Sequence, residues 1–432
     1  MERLKQDENG FFKKKFYYEY DVLNFMSNRV TLLSSLRGIN ICRRIKKKKE
    51  SRKEKKQKKP IPLQNPSKYL SLKRLIQTKQ MAQNSIAKVP VVETSNFLNK
   101  TGDYKKQCEE VAQALHTYGC VIIRDPRVNQ QDNDNFLDMF EKYFVSRGEM
   151  LYKGEKVPEA LPEWGYQSGA TPPYKERARL HESVVNQFTA ENAAYTPQPP
   201  PYDAKWRYFY RIGEKPANRS TEFDPPKVIP SDFPNFEATC ERWGNLMLDG
   251  CMTVAKMAAI GMELPEESFT ERMKGGDHLL APTGSDLVKN DKGAVFAGFH
   301  YDLNFLTIHG KSRYPGLFVW LRTGEKIPVA VPDGCLLLQA GKQFEWMTGG
   351  YVTCGFHEVI YTDAVKEKVQ QTLEKGGIPW RISSTLFSHI RFDALLEPIG
   401  KFANEESIAK FPKTKALDQV LEEVKSIELK KD

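Results

Sequence analysis

The sequence predicts a mainly β protein with helices, an α+β fold in which a sandwich or jelly-roll barrel follows a helical region. The main observation is a series of short strand-like runs after position 277, each bounded by Gly, Pro or Asp. Seven such runs within about 110 residues are typical of a sandwich or jelly roll. The second observation is size, because 432 residues with 40% hydrophobic content can bury a large core. The third is that no run of 18 uncharged apolar residues occurs, so no membrane span is predicted.

Upstream of the strands, the chain shows helical periodicity interrupted by short strands and a long loop. Val111 and Leu115 stand at helical spacing, for example, and Gly119 ends their pattern. Helices are predicted over 103–118, 131–146 and 236–262, a buried strand over 120–126, and a Pro- and Gly-rich irregular segment over 152–235. Another helix is predicted over 363–377, within the β region, and an amphipathic helix is predicted near the C-terminal end.

The net charge of +10 comes from the N-terminal part of the chain. Residues 1–80 hold 23 Lys and Arg against 7 Asp and Glu, whereas the remaining residues hold 42 against 48. The main body is therefore mildly acidic, and its charge does not indicate a nucleic-acid surface. Residues 1–87 are predicted to form a disordered basic arm, and Met81 is an alternative start that would remove most of it.

The densest basic run, RRIKKKKESRKEKKQKK at 43–59, has two interpretations. It is either a solvated tail or an arm for nuclear import or nucleic-acid binding. The N-terminus lacks the apolar core of a secretory signal, and the seven cysteines lack C-x-x-C spacing. We therefore expect reduced thiols and a cytoplasmic location, with a nuclear location through 43–59 as the alternative.

A candidate metal site lies in GFHYDLNFLTIHG, residues 298–310. Alternate side chains of a strand point to the same face, so His300 and Asp302 are expected to converge. His357 lies in a second strand-like run, YVTCGFHEVIY. Two imidazoles and one carboxylate are the donor set of non-haem Fe(II) oxygenases. Taken alone, the His-x-Asp pair is equally compatible with a surface pair of no functional consequence.

The wider context consists of short motifs in a fixed order. They are His300-x-Asp302, Leu306-Thr307, Gly316-Leu317, Pro332-Asp333-Gly334, Gly341-x-Gln343, Thr348-Gly349-Gly350, His357 and Arg381-Ile382-Ser383. Over about residues 88–400 this set resembles the 2-oxoglutarate/Fe(II) oxygenases of the isopenicillin N synthase-like superfamily. The resemblance implies a double-stranded β-helix, or jelly-roll, core at 276–400. It also implies an N-terminal helical cap at 88–275, followed by a C-terminal helix at 401–432.

The resemblance also implies a set of site residues and cofactors. His300, Asp302 and His357 would be the catalytic residues that hold Fe(II). Arg381 and Ser383 would bind 2-oxoglutarate, because a guanidinium inside a barrel needs an anionic partner and a carboxylate can supply one. With dioxygen as the second cosubstrate, such an enzyme hydroxylates, desaturates or cyclises a small organic substrate.

Two features depart from the family pattern. Arg381 follows His357 by 24 residues, where about ten are usual, and the helix predicted at 363–377 accounts for the difference as an insertion. The family's cosubstrate-binding tyrosine is also absent, and the segment 278–287 offers Thr283 or Ser285 in its place.

Two alternative functions remain open at this point. One is an Fe(II) oxidase of the same fold that does not use 2-oxoglutarate. The other is a non-catalytic binding or regulatory protein with a basic tail. The remaining histidines, His278, His309 and His389, are expected to pack rather than to bind metal.

Overall fold

Sixteen strands form two main sheets and one short ladder in the part of the chain that the structure, a computed structural model, describes. The described residues are 89–214 and 224–426, and the predicted arm at 1–87 lies outside them. In chain order the strands are β1 (Val91–Glu93), β2 (Cys120–Arg124), β3 (Gly169–Thr171), β4 (Trp206–Ile212), β5 (His278–Leu280), β6 (Thr283–Asp286), β7 (Val295–His300), β8 (Leu306–His309), β9 (Leu317–Trp320), β10 (Lys326–Pro328), β11 (Leu336–Ala340), β12 (His357–Ile360), β13 (Trp380–Ser383), β14 (Thr385–Ser388), β15 (Leu395–Leu396) and β16 (Thr414–Lys415).

The larger sheet has ten strands in the order β1-β2-β11-β8-β14-β5-β4-β6-β13, with β3 paired to β4. Its pairings are antiparallel except for β1 with β2. The smaller sheet has the order β10-β9-β12-β7, and β15 pairs with β16. Both main sheets are open ladders among the described residues rather than a closed barrel.

The N-terminal region contributes strands as well as helices. β1 to β4 all belong to the larger sheet, and β2 lies beside β11 from the C-terminal half. The segment 152–235 was predicted to be irregular, and this is wrong for β3 and β4. The tertiary pairing of β4 with β5 and β6 outweighs the surrounding Pro- and Gly-rich sequence.

Ten α-helices accompany the sheets in the described residues. They are α1 (Ser95–Asn99), α2 (Tyr104–Tyr118), α3 (Gln130–Tyr152), α4 (Glu182–Val185), α5 (Phe236–Gly261), α6 (Thr270–Met273), α7 (Lys342–Met347), α8 (Asp363–Glu374), α9 (Glu405–Lys410) and α10 (Ala416–Ser426). The predicted helices correspond to α2, α3, α5, α8 and α10. None of the helices in the described ranges is long and apolar enough to cross a bilayer.

The core lies between the helices and one face of the larger sheet. Phe140 on α3 packs against Tyr208 on β4 and against Phe236 on α5, with ring centroids 6.0 and 5.3 Å apart. α5 also packs closely on α2, because a Cβ atom at Gly261 would lie only 2.1 Å from the carbonyl oxygen of Cys108. This close packing leaves the opposite face of the sheet to form the site.

Candidate metal centre and adjoining cavity

The three predicted metal ligands lie together at one end of the smaller sheet. His300 ends β7 and His357 begins β12, and the strand register places them directly opposite each other. Nε2 of His300 lies 3.6 Å from Oδ1 of Asp302, and Nε2 of His357 lies 3.8 Å from Oδ2. The three potential donor atoms all lie within 4.8 Å of one another. Within the described ranges, no other group of three such side chains was found.

Hydrogen bonds orient the cluster for metal binding. Nδ1 of His300 donates to the carbonyl oxygen of Gly298 at 2.6 Å, which leaves the Nε2 lone pair available beside Asp302. The hydroxyl of Thr307 donates to Oδ2 of Asp302 at 2.6 Å. Nδ1 of His357 makes a longer contact, 3.4 Å, with the carbonyl oxygen of Gly355. Both imidazoles therefore turn Nε2 toward the carboxylate.

The protonation states also suit a divalent metal. Burial lowers the pKa of His300, and the neighbouring His357 lowers it further. Burial raises the pKa of Asp302, but His357, His300 and the Thr307 hydroxyl outweigh it and hold the pKa below the ordinary value. At neutral pH the cluster therefore offers a neutral imidazole at His300 and an ionised carboxylate, which are the forms that bind metal.

A loop segment with a buried threonine, Thr196, ties together the two strands that carry these histidines. Glu358, next to His357, accepts hydrogen bonds from the backbone N–H groups of Tyr195 and Thr196, at 2.8 and 2.9 Å. The Thr196 hydroxyl donates to Glu358 and accepts from the amide of Phe299, next to His300. This link holds β7 and β12 in register on the side away from the cluster.

Arg381 and Ser383 lie on β13, at the edge of the larger sheet. β13 pairs with β6, so that Arg381 lies opposite Ser285 and Ser383 lies opposite Thr283. The hydroxyl oxygens of Ser383 and Thr283 are 2.7 Å apart. Thr283 and Ser285, the candidates for the role of the missing tyrosine, thus lie directly across the sheet from Ser383 and Arg381.

The guanidinium of Arg381 is buried, and no carboxylate of the described residues pairs with it. The residue is only 6% exposed, and its Nε donates to the carbonyl oxygen of Pro315 at 3.1 Å. Burial lowers its pKa to about 10, with no carboxylate contributing among the described residues. An unpaired interior cation is costly, so this position favours binding of an anion.

His309 lies between the metal cluster and Arg381, a position that sequence analysis did not foresee. Its Nε2 is 2.9 Å from Oε1 of Gln339, and its Nδ1 is 3.1 Å from the hydroxyl of Thr385. Its ring lies 6.3 Å from that of His357. Burial, together with the neighbouring charges of His357 and Arg381, lowers its pKa to about 4. The signal was present, because His309 is two residues from Thr307 and therefore shares its strand face.

A cavity of about 180 Å³ opens onto His300 and Asp302. Its lining includes Lys205, which directly precedes β4, and the alternate β4 residues Arg207, Phe209 and Arg211. The intervening residues, Trp206, Tyr208, Tyr210 and Ile212, are buried in the core on the other face. This alternation is visible in KWRYFYRI at 205–212, but the proline-rich context hid it during sequence analysis.

The C-terminal helix closes another side of this cavity. Val420 and Glu423 of α10 line it, and Glu423 accepts a hydrogen bond from the hydroxyl of Tyr301 at 3.3 Å. Glu423 also forms an ion pair with Arg179, another lining residue. Segments that are far apart in sequence therefore build the space beside the metal cluster.

Sequence comparison found no match: no family model matches this chain, and no curated protein matches it. Comparison of structures did find relatives. A structure of a putative 2OG-Fe(II) oxygenase family protein from Caulobacter crescentus aligns with a TM-score of 0.59 and 20% identity, covering 78% of this chain and 98% of that one. A full-length Neurospora crassa protein, solved in complex with alpha-KG, aligns with a TM-score of 0.59 and 17% identity, over 78% and 96%.

A third solved structure is JOX2 in complex with 2OG, Fe and JA. It aligns with a TM-score of 0.55 and 13% identity, over 79% of this chain and 86% of that chain. These alignments show that the chain adopts the fold of 2OG/Fe(II) oxygenases over more than three quarters of its length, as the resemblance of its motifs implies.

Proposed function

We propose that the protein is a non-haem Fe(II)- and 2-oxoglutarate-dependent oxygenase that oxidises a small organic molecule. One observation carries the proposal: a cluster of two imidazoles and one carboxylate lies near a buried arginine that has no carboxylate partner in the described ranges. Neither feature is needed to stabilise a fold, and both suit this class of enzyme. The two main sheets would correspond to the double-stranded β-helix, with the N-terminal helices as its cap.

The donor set fits Fe(II). Nε2 of His300, Nε2 of His357 and a carboxylate oxygen of Asp302 would hold the metal, and a three-ligand site leaves positions open for other ligands. The bond from Thr307 would keep the carboxylate oriented. Among the aligned structures, the JOX2 complex contains both 2OG and Fe.

Arg381 would anchor the distal carboxylate of 2-oxoglutarate. The planar guanidinium can donate two parallel hydrogen bonds to a carboxylate, and only its Nε is engaged by Pro315. The hydroxyls of Ser383 and Thr283 form the register pair two residues along β13 and β6 from Arg381 and Ser285. They would donate further hydrogen bonds to the same carboxylate. Thr283 is therefore our candidate for the role of the missing tyrosine.

When bound, Fe(II) and 2-oxoglutarate supply oxidation of a substrate C–H bond by dioxygen, coupled to conversion of the keto acid into succinate and carbon dioxide. The protein's own residues keep the imidazole of His300 neutral, hold the Asp302 carboxylate ionised and orient the substrate in the cavity. Packed aromatic side chains such as Phe299 and Phe305 exclude water from the surrounding strands. Hydroxylation, desaturation and ring closure are all compatible with this arrangement.

The test is a screen of small organic molecules that follows oxygen uptake and succinate release together. The proposal requires succinate to form only when both Fe(II) and 2-oxoglutarate are present. Oxygen uptake without a need for 2-oxoglutarate would instead support the oxidase alternative, and a lack of any turnover would support the non-catalytic one. Asp302→Asn should abolish succinate release, whereas Asp249→Asn, on an exposed part of α5, should leave it unchanged.

A further inference from the structure

The cavity-facing side of β4 carries an unusual density of positive charge. Lys205, Arg207 and Arg211 alternate with core residues over seven positions, and Phe209 completes the row. Lysine and arginine are rarely buried unless they are paired. The hydrogen-bond partners of each of the three cations therefore indicate where a ligand would bind.

The charge of Arg211 is compensated by two carboxylates, although its Nε, like that of Arg207, is buried without a hydrogen-bond acceptor. Its Nη1 lies 3.2 Å from Oδ1 of Asp224, and its Nε lies 3.5 Å from Oδ1 of Asp277. Two carboxylates thus face one guanidinium. This end of the row has no surplus positive charge to offer an anion.

Lys205 and Arg207, in contrast, share a carboxylate. Oε2 of Glu176 lies 2.8 Å from Nη2 of Arg207 and 3.3 Å from Nζ of Lys205. Asp203 also accepts from Lys205, but its other oxygen accepts from the amide of Gly298 at 3.0 Å. Lys205 and Arg207 therefore face two carboxylates together, and Oε2 of Glu176 serves both cations.

Arg207 keeps unused donor capacity. A guanidinium has five N–H donors, and the pair with Glu176 is its sole hydrogen bond or ion pair among the described residues. Its Nε is buried without an acceptor, and 21% of its side chain is exposed at the cavity wall. An acceptor-bearing ligand in the cavity would pair with the exposed part of this guanidinium.

The remaining lining defines the body of the ligand. Phe209 lies under Arg207, with the guanidinium 5.1 Å from the ring centroid. Leu279 and Phe387 are register neighbours across β5 and β14, and both line the same cavity. These apolar residues line the same cavity as Arg207, His300 and Asp302. A volume of about 180 Å³ is below the usual range for ligand pockets and limits the ligand to a small molecule.

We propose that this cavity binds a small apolar carboxylic acid whose carboxylate pairs with Arg207. This inference names the substrate class of the proposed oxygenase and so rests on that proposed function. The apolar body lies against Phe209, Leu279 and Phe387, which brings a C–H bond of the substrate to the open side of the metal cluster.

The experiment measures binding of benzoate, phenylacetate and hexanoate, each against its primary amide, by ligand-detected NMR and calorimetry. The full chain is used alone and with Mn(II) and 2-oxoglutarate. At least one acid should bind about tenfold more tightly than its amide, because a charged acceptor strengthens the bond to arginine. If every acid binds no more tightly than its amide, the proposal is overturned.

Matched variants locate the effect. Arg207→Gln should weaken binding of the acid about 10- to 100-fold and remove the preference over the amide. Arg211→Gln should keep the preference, because Arg211 is already compensated. Arg207→Lys retains the charge and serves as the variant of choice if the Gln variant does not fold. Equal losses in the Arg207 and Arg211 variants would contradict the proposal.

Two further readouts separate this inference from the proposed function. Arg207 lies opposite Thr283 in the strand register, and Thr283 is our candidate for the cosubstrate site. The affinity for 2-oxoglutarate is therefore measured in the same variants. A loss of 2-oxoglutarate affinity in Arg207→Gln, with acid binding unchanged, would assign the residue to the cosubstrate and overturn the inference alone. Arg207-dependent acid binding without any succinate release in the activity screen would instead overturn the proposed function and leave the acid site standing.

Discussion

The metal cluster and the Arg381 region differ in how their charges are satisfied. In the cluster, the carboxylate of Asp302 faces two imidazoles and accepts a hydrogen bond from Thr307. In the other region, the guanidinium of Arg381 is buried with one carbonyl oxygen as its partner among the described residues. The first region has its main polar groups in place, whereas the second is incomplete without an anion. Under the proposed function, the protein would pre-orient the metal ligands and leave the cosubstrate to neutralise Arg381.

The largest effect is expected from removing a metal ligand. His357→Ala should abolish iron binding and turnover, because two donors do not replace a three-donor site. The fold should survive, since the imidazole makes one long contact with Gly355. Iron content and succinate release are the measurements, with His116→Ala, at a half-buried position of α2, as the control. Equal iron content in wild type and His357→Ala would remove the metal assignment.

The second largest effect is expected at Arg381, and it tests the binding of 2-oxoglutarate separately from the binding of iron. Arg381→Lys replaces a planar fork by a point charge, and disturbing a buried charge pair costs roughly 2–5 kcal/mol. The Michaelis constant for 2-oxoglutarate should rise about 30- to several-thousand-fold, with iron occupancy close to normal. Arg313→Lys, at an exposed ion pair with Asp138, should leave this constant unchanged. An unaltered Michaelis constant for 2-oxoglutarate in Arg381→Lys would mean that Arg381 does not bind the cosubstrate.

The third effect concerns His309, which lies between the two regions. Its pKa is lowered to about 4 by burial, so on acidification the unfolded chain takes up the proton first, below about pH 6.5. Its contribution to stability is therefore complete above pH 6.5 and is lost as the pH falls toward 4. Between pH 7 and 4.5 the wild type should lose on the order of 2 kcal/mol more unfolding free energy than His309→Gln. Urea unfolding at both pH values measures this, and parallel losses in the two proteins would count against a buried neutral His309.

The smallest effect is expected from the basic arm. All the residues that we assign to the two regions lie between positions 283 and 385, so we expect a protein starting at Met81 to keep its melting temperature and its turnover. Thermal unfolding and succinate release provide the comparison with the full chain. A large drop in melting temperature would show that the arm contributes to the fold.

The sequence predicted the residues of the metal cluster better than their neighbours. His300 and Asp302 are two positions apart, so the period of a strand was enough to bring them together. That His357 lies opposite His300 depends on β12 pairing with β7, a long-range choice that local patterns do not contain. The oxygenase fold was predictable because its motifs retain their order along the chain.

Other parts of the site could not be predicted for similar reasons. The alternation along β4 is clear in hindsight, but a single strand inside a long loop segment gives too short a signal. The role of α10 at the cavity likewise depends on where a distant helix docks, which Val420 and Glu423 alone do not indicate. In each case the missing information is tertiary pairing rather than local propensity.

The pairing of β2 with β11 has a kinetic consequence. Ile122 lies opposite Leu337, so this ladder closes a loop of about 200 residues, whereas the pairing of His300 with His357 closes one of about 60. The longer closure costs about 1 kcal/mol more chain entropy. It also delays pairing during synthesis, because β2 must wait until β11 has left the ribosome. β12 leaves the ribosome after β11, and β13 and β14 follow β12, so the larger sheet is completed only after both histidine strands are available.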